Sequence, residues 1–207
     1  MDIEEMSLTF ANKEEDIIRL NNWIFDMVSP YIKGRTLELG SGGGRISSIF
    51  MQHNLPLHLS DEKEANRKAL GIMFSGIPLI RMIHDIDFVR EGFTQTYARL
   101  IGVFDTVIAL NITEHGFYDQ LVLENAMHLL RRRGHFMVIA PSRAVLFNRM
   151  AQDLSGLKEY NYTVARKLMG PNFETLKARC FNWVSESETP DFSQFCLLTL
   201  AISRKTI

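Results

Sequence analysis

The chain has 207 residues, of which 46% are apolar and 23% charged, with a formal charge of −1. This composition fits one domain with a sizeable core, argues against disorder, and gives no net pull toward nucleic acid or an anionic membrane. No run of about 18 apolar residues and no basic-then-apolar N-terminus occurs, and Cys180 and Cys196 form no metal-type cluster, so a cytoplasmic protein with reduced thiols and no membrane insertion is expected.

Taken in chain order, residues 12–29 read as an amphipathic helix. Asn12 and Glu15 have capping-box spacing, Ile17, Ile18, Leu20, Trp23, Ile24, Met27 and Val28 form an apolar stripe, and Pro30 marks the end. Strands are expected at Arg35–Leu39, Leu57–Ser60, Leu79–Ile83, Phe104–Leu110 and His135–Ala140. Between them lie helices at Arg45–Gln52, Glu62–Phe74 and Tyr118–Arg132, the last closed by Gly134. Arg131, Arg132 and Arg133 are expected to complement the negative end of that helix, a phosphate or nucleic-acid patch being the alternative reading. Residues 88–102 suit a short helix with loops, 144–170 suit two helical pieces, and 174–184 with 193–203 suit strands joined by the turn-rich SESETPD.

Such alternation predicts an α/β fold: a Rossmann-like, doubly wound sheet of about seven strands, mostly parallel, closed by a C-terminal antiparallel hairpin. The nearly all-apolar Phe104–Leu110 should lie centrally, buried on both faces. A single domain spans 1–207, with an N-terminal helical cap (1–33), a ligand-binding core (34–141), substrate-side helices (142–171) and the hairpin (172–207). Ligands of such sheets bind beyond the carboxyl ends of the strands.

Strand ends are where the unusual residues fall. The stretch Thr36–Arg45 reads TLELGSGGGR, an acid at the end of an apolar run and then four glycines within five positions. Glycines there allow positive φ and close backbone approach to a ligand at a helix N-terminus. The dinucleotide fingerprint G-x-G-x-x-G would need a third glycine at position 45, which is Arg45. The pattern present is Glu38-x-Gly40-x-Gly42-x-Gly44. Asp61 follows the second strand, 21 residues after Gly40, where a carboxylate can grip a ribose diol or cap the helix that starts at Glu62. Asp85 follows the third strand, with Asp87 competing for its role, and the fourth strand runs into Asn111-Ile112-Thr113-Glu114-His115.

Together these segments resemble the class I S-adenosylmethionine (SAM) methyltransferases, in the small-molecule branch whose fourth strand ends in "EH". The resemblance covers roughly residues 30–145. It implies SAM as cofactor and S-adenosyl-L-homocysteine as product. Glu38 would bind the amino group, Gly40, Ser41, Gly42 and Gly44 would wall the methionine part, and Asp61 with Glu62 would take the ribose. Asp85 and Ile86 would meet the adenine, and Asn111 and Ile112 would lie by the methionine moiety.

The acceptor implied is a small molecule, with oxygen ahead of nitrogen or carbon, and a homodimer is left open. No Asn-Pro-Pro-aromatic run follows the fourth strand, which speaks against adenine or amide acceptors. His115 is the candidate general base, and support of SAM or of the next helix is its alternative role. Glu114 with His115 is a poor metal signature, and no metal is expected. His53, His58, His84, His128 and His135 have no partner at ligand spacing. A SAM-binding regulatory protein without transferase activity is the first rival reading, and a nicotinamide-dependent oxidoreductase the second.

Overall fold

The structure, a computed structural model, describes residues 14–109, 120–141, 173–181 and 198–206. After the first helix, α1 (Glu14–Val28), a short 3-10 turn at Ser29–Tyr31 carries the chain past Pro30 into the sheet. The core then alternates β1 (Thr36–Glu38), α2 (Arg45–Gln52), β2 (Leu57–Asp61), α3 (Glu64–Met73), β3 (Ile80–Asp85), the single-turn α4 (Phe93–Thr96), β4 (Phe104–Ala109), α5 (Gln120–Leu129) and β5 (Leu130–Pro141). Two further strands, β6 (Phe173–Phe181) and β7 (Leu198–Lys205), complete it.

The seven strands among the described residues form one sheet in the order β3-β2-β1-β4-β5-β7-β6. The first five pair in parallel, while β7 runs antiparallel between β5 and β6. The mostly parallel sheet with a C-terminal antiparallel hairpin is therefore as expected. Strand order reverses between β1 and β4, which places the open crevice of a doubly wound sheet beyond the carboxyl ends of β1 and β4.

Side chains alternate between the two faces with period two, and each face closes its own core. On one face Leu37, Leu39, Val107, Phe136 and Val138 meet Phe88, Phe93, Ala126 and Leu129. On the other, Leu57, Leu59, Ile108 and Met137 meet Ile24 and Val28 of α1, Ile46, Ile49 and Phe50 of α2, and Leu70 of α3. All six residues of β4 are buried, as its apolar sequence and central place require.

One segment departs from expectation. The helix expected over Tyr118–Arg132 ends at Leu129, and β5 begins at Leu130. The three arginines thus lie outside the helix, in the irregular lead of β5, where the register against β4 shifts between Phe104 and Thr106. Gly134 does not supply a left-handed helix cap either; Arg133 takes the positive φ of 63°. Gly134 answers a steric need instead, since a Cβ there would lie 2.9 Å from the Arg131 carbonyl oxygen and 3.1 Å from that of Asp105. Lys205 does what the arginines were expected to do, its Nζ donating to the carbonyls of Met127 (3.3 Å), in the last turn of α5, and Leu130 (3.0 Å), the first residue of β5.

Candidate active site at three adjacent strand ends

Glu38, Asp61 and Asp85 are the last residues of β1, β2 and β3, three strands that lie side by side. Asp61 pairs with Asp85 across the ladder, and Glu38 pairs with Leu59, two positions before Asp61. Parallel strands in close register therefore deliver three carboxylates to one end of the sheet.

Glu38 is 1% exposed, beneath the first turn of α2. The Ser47 hydroxyl donates to its Oε2 at 2.5 Å, whereas Oε1 is buried without a hydrogen-bond partner among the described residues. Burial pushes the Glu38 pKa up to about 7, against the opposing pull of the Ser47 and Ser41 hydroxyls. A buried carboxylate oxygen left unmatched is costly unless something cationic or donating meets it.

The loop that follows is pinned to β2. Ser41 N–H donates to the Ser60 carbonyl at 2.8 Å, and Ser60 N–H donates to Ser41 Oγ at 3.3 Å. Gly42 N–H donates to Asp61 Oδ2 at 2.9 Å. Gly40, Gly42 and Gly44 have φ of 60°, 52° and 72°, a conformation open to glycine and strained for other residues.

The space around these glycines differs. Among the described residues a Cβ on Gly40 would meet nothing within 4 Å, so this wall is open on their side. On Gly44 it would lie 2.9 Å from Phe74 Cε2 and 3.0 Å from Leu70 and Met73, so Gly44 serves the close packing of the loop on α3. Gly44→Ala should therefore destabilise by about 2–4 kcal/mol, from φ strain together with overpacking, and lower Tm by roughly 5–12 °C. Exposed Gly43, with no positive φ and no neighbour within 4 Å, should accept alanine within about 2 °C in the same thermal melt.

Asp61 is 5% exposed and already engaged. Besides holding Gly42, it accepts from Lys63 N–H at 2.8 Å and Asn66 Nδ2 at 3.1 Å through Oδ1. It thus ties the glycine loop to the start of α3, and with about four lone-pair directions it retains limited capacity for a ligand hydroxyl. Glu62 precedes α3 and is exposed.

Arg67, one turn into α3, clamps the neighbouring strand tip. Its Nη1 donates to the Asp61 carbonyl (2.9 Å) and the Glu62 carbonyl (2.7 Å), while Nη2 pairs with Asp85 at 3.0 Å. Nothing in the spacing of the sequence singled out this arginine. Its role depends on α3 lying over the β2–β3 seam.

The Asp85 side chain is 68% exposed and so remains accessible at the crevice. Ile86 is fully buried in the core beside Leu37 and Leu39, so its side chain packs rather than faces solvent. Asp87 is half-buried, its N–H donating to the Tyr97 hydroxyl at 2.9 Å while Oδ1 accepts from Val89 N–H. Asn111, Ile112, Glu114 and His115 lie outside the described residues.

Pairing of His58 with His84 was also invisible in the sequence. Their ring nitrogens approach to 3.0 Å, with both rings edge-on to Phe104. Burial and the His84 charge lower the His58 pKa to about 4, so at neutral pH it is an uncharged packing element.

No family model and no curated protein matches the chain by sequence. Solved structures do match in fold. A SAM-dependent methyltransferase from Clostridium acetobutylicum superposes with a TM-score of 0.67 at 10% identity, covering 98% of this chain and 96% of the other. The N-methyltransferase NodS from Bradyrhizobium japonicum gives 0.65 at 13% identity, covering 94% and 99%. The magnesium protoporphyrin IX methyltransferase ChlM from Synechocystis, with bound S-adenosylhomocysteine, gives 0.58 at 15% identity, covering 93% and 82%. Strand order, the glycine loop after β1 and these superpositions agree: the chain has the fold of the class I SAM-dependent methyltransferases.

Proposed function

We propose that the protein is a SAM-dependent methyltransferase acting on a small molecule, with oxygen as the accepting atom. One observation carries most of this reading: the unmatched, buried Glu38 Oε1 beside an open glycine wall, at the strand end shared with Asp61 and Asp85. An ammonium group suits that oxygen, and its charge would hold Glu38 ionised despite burial. A ribose hydroxyl suits the remaining lone pair of Asp61, and the exposed Asp85 suits an exocyclic amine of a base. SAM, when bound, supplies an electrophilic methyl group on a sulfonium.

The chain's own contribution is mainly positional. In-line displacement needs nucleophile, carbon and sulfur collinear, and holding them so can supply roughly 7–11 kcal/mol. The family resemblance assigns the residues that follow β4 in sequence to the methyl-transfer side, and among them His115 is proposed to take the acceptor hydroxyl's proton. NodS shares the fold and is an N-methyltransferase, so the fold admits nitrogen acceptors, and oxygen is preferred here through His115.

Labelled SAM incubated with a panel of hydroxylated and amino acceptors tests the reading, with transfer to oxygen expected. Transfer to nitrogen alone would overturn the oxygen preference. Tight SAM binding without transfer to any acceptor would support a regulatory protein instead. His115→Asn should lower kcat by about 100-fold and leave S-adenosylhomocysteine affinity nearly unchanged. Equal losses in both would make His115 a support of the cofactor.

A further inference from the structure

At the end of the sheet opposite the glycine loop, where β5 begins and β7 ends, an open cleft of about 270 Å³ is lined by Arg132, Arg133, Arg204, Lys205 and Thr206. We infer that this cleft is a second ligand site, for a small molecule bearing a di- or triphosphate group. It is independent of the SAM reading and uses none of the residues assigned to it.

The cations are crowded and held in place. Lys33 Nζ donates to the Arg133 carbonyl at 2.9 Å and lies 3.4 Å from His135 Nε2. Lys205 is fixed on the Met127 and Leu130 carbonyls, at the junction of α5 and β5. Burial lowers the Lys33 pKa, and the charges of Arg131, Arg133 and Arg204 lower it further, against Asp105. Two acids stand nearby. Asp105 is committed to an ion pair with Arg131 and to the Arg35 N–H, and Glu174 stands opposite Arg204 in the β6–β7 ladder. Arg132 and Arg133 are exposed, so both guanidinium groups are accessible.

Arg133 adds a second kind of observation. It holds a φ of 63°, where glycine would be favoured, yet the glycine stands one position later. The strained position therefore presents a guanidinium at the rim of the cleft. Several guanidinium forks at one opening match phosphate oxygens bidentately. The cleft is smaller than a typical pocket for a whole drug-sized ligand, which suits a phosphate tail with the remainder in solvent. A chain of net charge −1, with no aromatic side chain lining the cleft among the described residues, does not suit a nucleic-acid strand.

The test is calorimetric titration of the whole chain with inorganic triphosphate at low ionic strength, beside a variant carrying Arg132→Gln and Arg133→Gly. Wild type should bind saturably, and the variant about 10- to 100-fold more weakly. Its Tm should be no lower, because glycine relieves the left-handed backbone at 133. No saturable heat from wild type at about millimolar triphosphate, or equal binding by the variant, would overturn the inference. So would tighter binding to a DNA duplex or to phosphatidylserine vesicles than to triphosphate, since the surface would then serve a macromolecule or a membrane.

Discussion

Glu38→Gln is expected to bind S-adenosyl-L-homocysteine about 10- to 100-fold more weakly than wild type, while being no less stable at pH 8. Both halves follow from one buried carboxylate. Glutamine keeps the shape and the bond from Ser47 but loses the charge that would meet the ligand's ammonium. Stability moves the other way because the folded pKa, about 7, lies above the ordinary 4.5. Between those values the folded chain holds a proton that the unfolded chain has released. The stability this gives is full below pH 4.5 and lost as pH rises through 7, on the order of 3 kcal/mol by pH 8. A neutral glutamine escapes that loss, so the apo variant's melting temperature should fall less than wild type's between pH 5 and 8.

Ligand affinity should show the mirror image. If the bound state requires ionised Glu38, wild-type affinity should fall as pH drops below about 7, by up to tenfold per pH unit, and the glutamine variant should show no such dependence. Equal affinity and equal pH dependence in the two proteins would remove Glu38 from the site.

Asp61→Ala should be more damaging, weakening S-adenosylhomocysteine binding about 100-fold and lowering stability by about 2–4 kcal/mol. Three donors, Gly42 N–H, Lys63 N–H and Asn66 Nδ2, lose their acceptor, so the glycine loop and the start of α3 loosen together. Asp61→Asn separates the two roles. Its oxygen can still serve Lys63 N–H, while its amide nitrogen is set against Gly42 N–H, a donor facing a donor. Calorimetry well below the variant's melting temperature should still show weakened binding. Unchanged affinity with lowered stability would reduce Asp61 to a structural tie.

Much of this was legible in the sequence because strand ends carry the chemistry in a doubly wound sheet. The apolar run Phe104–Ala109 announced a central strand, and the glycines at Gly40–Gly44 announced a tight turn of positive φ between β1 and α2. What sequence could not show depends on neighbours across the sheet. Arg67 reaches Asp85 only because α3 crosses the seam between β2 and β3, and His58 finds His84 only through strand pairing. The α5–β5 junction misled for a physical reason. Arginines before a glycine read as a helix end, whereas the chain turns through a left-handed Arg133 and the glycine answers a contact with Asp105. Ile86 stands next to a candidate ligand residue, but just past the end of β3 its side chain is buried in the core.

The most direct test is a crystal structure with S-adenosyl-L-homocysteine. The ammonium is expected within hydrogen-bond distance of Glu38 Oε1, the ribose hydroxyls at Asp61, and the adenine beside Asp85. A ligand bound elsewhere, or Glu38 Oε1 met by a protein donor while the ligand lies apart from all three carboxylates, would contradict the account.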